Sequence, residues 1–127
     1  MTAPVRTARE VVELYNLVVW NQRDFALADE LLADEVTRHG VEEVVTLTRE
    51  QARQRVERLC ASVERVRFEL PVVVAGDDGE HVAIVYQAET AGPDGAAGAI
   101  ASIEVFRVVD GRITDVWNNT HQNGYWR

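Results

Sequence analysis

Two hydrophobic periods meet in this chain with no linker between them, and that junction constrains the fold class more than any other feature. Up to about Arg65 apolar residues recur every three or four positions, and from Val66 onward they alternate in twos. The first period is that of a helix with one buried face and the second that of a half-buried strand. At 127 residues the chain has the length of one domain, 1–127, so helices and sheet must share a single core. The hydrophobic fraction of 46% supplies that core and excludes a disordered chain.

Punctuation marks divide the two halves further. Thr7-Ala8-Arg9-Glu10 reads as a capping box, followed by Ala8, Val11, Val12, Tyr15, Val18 and Val19 on one helical face through about Asn21. Asp24 caps a short second helix with Leu27, Ala28, Leu31 and Leu32 inward. Val36 to His39 reads as a brief strand ending at Gly40, while Val41 to Leu47 fits either strand or loop. Thr48-Arg49-Glu50-Gln51 is a second capping box, opening a third helix to about Arg65. Strands are then expected over Val66–Ala75, His81–Thr90, Ala99–Val109 and Arg112 to about His121. Pro71 marks an edge or a bulge, and Asp110-Gly111 is a hairpin turn. The class is α+β.

Composition narrows the chemistry. Thirteen basic against twenty-one acidic residues leave a net charge of −8, which repels phosphate and argues against nucleic acid as a partner. Every basic residue is arginine, so lysine Schiff-base and P-loop chemistry are absent. Cys60 is alone and falls on the apolar face of the third helix, as a small buried hydrophobe. His39, His81 and His121 lie about forty residues apart, without metal-ligand spacing. No metal and no nucleotide cofactor are expected. The first residues lack an apolar leader core and no run is long enough to span a bilayer, so a cytoplasmic protein without membrane association is expected.

The segment Ile103-Glu104-Val105-Phe106-Arg107-Val108-Val109-Asp110-Gly111-Arg112-Ile113-Thr114-Asp115-Val116-Trp117-Asn118-Asn119 resembles the final hairpin of SnoaL-like proteins. These are polyketide-cyclase relatives in the nuclear transport factor 2 superfamily. Leu31 to Gly40 resembles the same family's second helix and first strand. The resemblance covers nearly the whole chain and implies a cone: three N-terminal helices packed on a curved antiparallel sheet, with an apolar pocket at the open end. It implies a hydrophobic small-molecule substrate and cofactor-independent acid/base chemistry of a cyclase or isomerase type. A non-catalytic ligand-binding or protein-interaction module of the same fold is the alternative.

Candidate residues follow from the same comparison. The family's acid/base aspartate falls four residues after the last strand's tryptophan, where this chain has His121, also a proton carrier near neutral pH. Glu104 aligns with the oxyanion-hole acid of ketosteroid isomerases, distant relatives, and Tyr15 with its phenolic partner; the isomerases' base aspartate falls at Gly40, which cannot serve. Glu104, His121 and Tyr15 are therefore the catalytic candidates, with His39, Trp117, Asn119 and Trp20 as substrate-binding candidates. Glu104 is otherwise a solvated strand residue and His121 a rim histidine. The arginines of the third helix read as a solvated face. A hairpin about Asp110-Gly111 sets Glu104 opposite Trp117 and puts Asn119 and His121 on that same face. Alternation alone leaves open which face is concave, and the resemblance favours this one. Ala101, Ile103, Val105 and Val109 line the other side of their strand, where a homodimer contact is expected.

Overall fold

The computed structural model describes residues 5–127; the leader reading of the first residues falls mostly outside that range. The first helix opens at the expected capping box, with the Thr7 hydroxyl accepting from the Glu10 amide and the Glu10 carboxylate accepting from the Thr7 amide. It runs as α1 (Ala8–Leu14), a π-helical segment (Tyr15–Val19) and α2 (Trp20–Gln22). Asp24 caps α3 (Phe25–Leu31) through the Leu27 amide. The strands β1 (Leu32–Gly40) and β2 (Glu43–Thr48) follow, so the stretch around Val41 to Leu47 resolves as a turn and a strand. A second capping box, Thr48 with Gln51, starts α4 (Arg49–Ala61). The rest is β3 (Arg65–Ala75), β4 (His81–Ala91), β5 (Ala97–Val109), β6 (Arg112–Asn118) and the two-residue β7 (Gln122–Asn123).

The strands form one curved, open sheet in the order β2-β1-β6-β5-β4-β3, with β7 against β5. Every pairing is antiparallel except β1 with β6, which run parallel. The sheet is thus mixed, because hydrophobic alternation reports which face a residue takes and not which way its strand runs. Pro71 satisfies both readings made of it. It lies in β3, the last strand in the order, at a register shift between Glu69 and Val72, where its missing N–H breaks no ladder. Asp110 and Gly111 both have positive φ, 52° and 76°, the geometry of a two-residue turn matched to strand twist.

The helices fill the concave side. Val11, Val12, Val19, Leu31 and Val56 are sealed against Val82, Ile84, Phe106, Ile113 and Val116 of the sheet. Cys60 is buried there as an unpaired small hydrophobe. Among the described residues no helix is long and apolar enough to cross a membrane.

One side chain stitches the helical layer to the sheet's edge. Asn21 donates from Nδ2 to the Phe68 carbonyl at 3.1 Å and accepts the Phe68 N–H on Oδ1 at 2.6 Å. It acts as a one-residue strand beside β3. Asn21→Ala leaves both backbone groups without that partner, and we expect a loss of about 1–3 kcal/mol. Urea denaturation should show a lower midpoint with an unchanged slope; an unchanged midpoint would remove this role.

Candidate active site

Inside the cone, between the helices and the concave sheet face, lies a cavity of about 420 Å³. Its walls come from the first helix, α4 and the strands β1, β3, β4, β5 and β6, and local irregularities decide which side chains reach it. The π-helical segment widens one turn of the first helix, so the inward face passes from Tyr15 and Asn16 to Val19 and Trp20. Val18, expected inward at α-helical spacing, is only half-buried. Trp20 packs against Phe68, which in turn packs against Tyr86, both ring pairs at 5.3 Å.

β4 alternates strictly and sends Val82, Ile84, Tyr86 and Ala88 inward. β1 sends Val36 and Arg38 inward, and α4 contributes Arg55. β5 contributes Glu104, and β6 contributes Asn118 directly opposite it. That last pairing depends on a bulge. Near the turn the register runs Val109 to Arg112 and Val108 to Ile113, but beyond it Arg107 pairs with Asp115 and Val105 with Trp117. Thr114 is the extra residue.

The electrostatics centre on Glu104. Its side chain is only 11% exposed, and burial pushes its pKa above the ordinary glutamate value because the charged form loses water. Asn118, Arg38, Arg55 and His121 pull the other way without reversing it. The closest guanidinium contact, Arg38 Nη2 to Glu104 Oε2, is 3.9 Å, too long for a hydrogen bond. Two phenols share the cavity. Burial raises the Tyr15 pKa, and burial together with the Glu104 charge pushes Tyr86 up to about 12. Both phenols therefore keep their protons at neutral pH. Burial, then the neighbouring Arg38, lowers the pKa of Arg55, which still stays charged near neutrality. The cavity thus combines apolar walls with a carboxyl biased toward its neutral form, two O–H donors and two guanidiniums.

The structure brings some sequence candidates together and separates others. Glu104, Tyr15, Trp20 and His121 line the cavity, His121 from the exposed segment after β6. Trp117 does not: the bulge at Thr114 turns it to the outer face, where it is 37% exposed and pairs with Val105. Asn119 lies at the exposed rim, outside the interior cavity. His39 also turns outward, because β1 alternates and Arg38 takes the inward position. Its Nε2 meets Asp115 Oδ2 at 2.8 Å and its ring stacks on Trp117 at 4.6 Å. The expectation that Glu104, Trp117 and Asn119 share one face is corrected by that single extra residue.

Among the cavity residues outside the sequence candidates, Tyr86, Arg38, Asn118 and Arg55 carry the polar groups nearest the chemistry of the site. Tyr86 was legible in the alternation of its strand, and Arg38 in that of β1. Asn118 was hidden by the bulge. Arg55 was assigned to a solvated face, and it stands apart from its neighbours. Arg53 pairs with Glu57 and Asp29, and Arg49 with Asp34, as surface residues do.

The SnoaL-like domain family model matches residues 11–116. Among solved structures, a candidate polyketide cyclase of Xanthomonas campestris pv. campestris is 24% identical, with 89% of each chain covered and a TM-score of 0.71. SalBIII, an epoxide hydrolase/cyclase-like enzyme with a role in pyran ring formation in the polyether salinomycin, is 23% identical over 94% of this chain and 95% of its own, at 0.76. A SnoaL-like polyketide cyclase of Agrobacterium tumefaciens str. C58 is 15% identical over 93% of each chain, at 0.75. At these identities the likeness establishes the fold. No functionally curated protein matches the sequence.

A carboxyl whose folded pKa is raised contributes stability below its unfolded pKa and loses it as pH rises through the folded one. Glu104 is such a group, so its ionisation works against the fold at neutral and alkaline pH. Glu104→Gln should therefore raise the melting temperature more at pH 8 than at pH 4. Thermal melts at both values check this, and a larger gain at pH 4 would contradict the burial account.

Proposed function

This chain belongs to the SnoaL-like domain family, and we propose that its cavity performs cofactor-independent acid/base chemistry of the cyclase or isomerase type on a hydrophobic polyketide- or terpenoid-like small molecule. One observation carries the reading: a carboxyl biased toward its neutral form shares an apolar cavity with two protonated phenols and an imidazole. A neutral acid in such a place donates a hydrogen bond to an oxygen on which negative charge develops.

In this reading His121 removes a proton from the carbon beside a substrate carbonyl. The electron pair moves onto the carbonyl oxygen as Glu104 and Tyr15 donate hydrogen bonds to it. Where the substrate has a double bond beside that carbon, the far carbon of the resulting dienolate takes the proton back from His121, which is isomerisation; otherwise the enolate carbon attacks a second carbonyl of the same molecule. In the second case a carbon–carbon bond forms, and the new alkoxide takes the proton held by His121. Trp20 and Phe68 form the apolar wall against which the substrate body lies. The competing reading, a binding module of the same fold, is favoured by the exposed position of His121, which leaves the base open to water.

Hydrogen exchange separates the two. With 2-tetralone in D2O followed by NMR, the protein should accelerate exchange at the carbons beside the carbonyl. Glu104→Gln and His121→Ala should each lower that rate by about 10²–10⁴-fold. Saturable binding with no acceleration would favour the module.

The outer sheet face supports a homodimer. Ile103 is 51% exposed and Trp117 37%, with Val72 and Val74 also exposed, an apolar surface of the kind that marks an interface. Sedimentation equilibrium at micromolar concentration should give twice the chain mass, and Ile103→Glu should halve it. A wild-type protein that sediments as a monomer would overturn the dimer.

A further inference from the structure

Arg55 is the unexplained residue of the cavity. Every other half-buried arginine among the described residues faces a carboxylate or carbonyl partner: Arg6, Arg49, Arg53, Arg107 and Arg112 within 3.6 Å, and Arg38 at 3.9 Å from Glu104. Among the same residues no hydrogen bond or ion pair reaches Arg55. Its nitrogens are not sealed in either, since no buried side-chain polar atom of the described structure lacks a partner. They open onto the cavity instead. A guanidinium withdrawn from bulk water, which feels the Glu104 charge but makes no direct pair with it, is costly unless something else supplies a hydrogen-bonded partner.

Its position says what that something touches. Arg55 and Arg38 line the interior cavity, and both also line a shallower depression of about 440 Å³ at the rim. They stand where the two spaces meet, within reach of a ligand in either. With Glu104 biased toward neutrality, the pair gives the cavity a local positive charge in a chain whose net charge is −8. The guanidinium fork matches a planar two-oxygen anion in a bidentate way. A monoanion sheds its water more cheaply than a phosphate dianion on entering a part-buried site beside a carboxyl.

We infer that the ligand of this cavity is an amphiphilic carboxylic acid, whose carboxylate is held by Arg55 and Arg38 at the rim while its apolar body lies against Trp20 and Phe68. This names the substrate class for the site proposed above and rests on that reading. The arginines orient the molecule, and Glu104 and His121, which line the same cavity, act on its carbonyl.

Binding of three matched probes, read from tryptophan fluorescence of the full chain, tests the inference: 2-naphthoate, 2-naphthamide and 2-naphthyl phosphate. 2-Naphthoate should bind at least about tenfold tighter than the amide, as expected for a charge-assisted hydrogen-bonded pair. Arg55→Gln should erase that preference with its thermal melt unchanged, and Arg55→Lys should keep part of it. Equal affinity for acid and amide, an undiminished preference in Arg55→Gln, tighter binding of the phosphate, or no binding of any probe by the folded protein would each overturn it. The tetralone exchange assay is independent of these outcomes. Exchange without a carboxylate preference would sink only this inference, and a preference without exchange would sink only the catalytic reading.

Discussion

One extra residue in β6 governs the contents of the cone. The turn at Asp110 and Gly111 sets the hairpin register, and Thr114 then shifts it by one, so that Ile113 and Val116 both face inward although three positions apart. A strand without the bulge would carry Asp115 and Trp117 into the core and Val116 and Asn118 out to water. The core could not bury that aspartate, and the site would lose the amide opposite Glu104. The shift also gathers Asp115, His39 and Trp117 on the outer face, where the His39–Asp115 hydrogen bond and the ring stack lock β1 beside β6 in the sheet's one parallel pairing.

Within that frame the cavity is a balance between withdrawn water and fixed charge. Burial drives Glu104 toward its neutral form, while two guanidiniums, an amide and an imidazole favour the carboxylate. A ligand carboxylate that engages the arginines would weaken their hold on Glu104 and add a like charge nearby, so the acid would become more firmly protonated as the site fills. Tyr15 and Tyr86 stay protonated at neutral pH, so each keeps an O–H to donate. Apolar walls strengthen each of these interactions by excluding water.

Much of the frame was legible in the residues. Both capping boxes form as spelled, the Asp110-Gly111 turn closes the hairpin, and Pro71 sits at an edge and a bulge at once. The bury-and-expose alternation of β4 is read directly from Val82 to Ala88. What escaped has a common cause: each miss is an interruption of a period by one residue or by tertiary context. The π-helical turn replaces Val18 with Asn16 and Trp20 on the inner face. The Thr114 bulge exchanges Trp117 for Asn118. Strand direction leaves no trace in alternation, so the parallel pairing of β1 with β6 was invisible. Arg55 sits in a helix whose other arginines either pair with surface carboxylates, as Arg49 and Arg53 do, or lie exposed, as Arg58 does, and no local pattern distinguishes it. Glu104 was found through family resemblance, since its strand reads equally well with either face inward.

The central claim is that Glu104 holds its proton in the range where an ordinary glutamate has lost it. Carbon NMR of the side-chain carboxyl, assigned by the signal that vanishes in Glu104→Gln, measures this without any substrate. The Glu104 titration midpoint should lie above the ordinary glutamate value of about 4.3. A midpoint at or below that value would show the carboxyl ionised by its arginines, and the cavity would then hold a charged anchor in place of an acid.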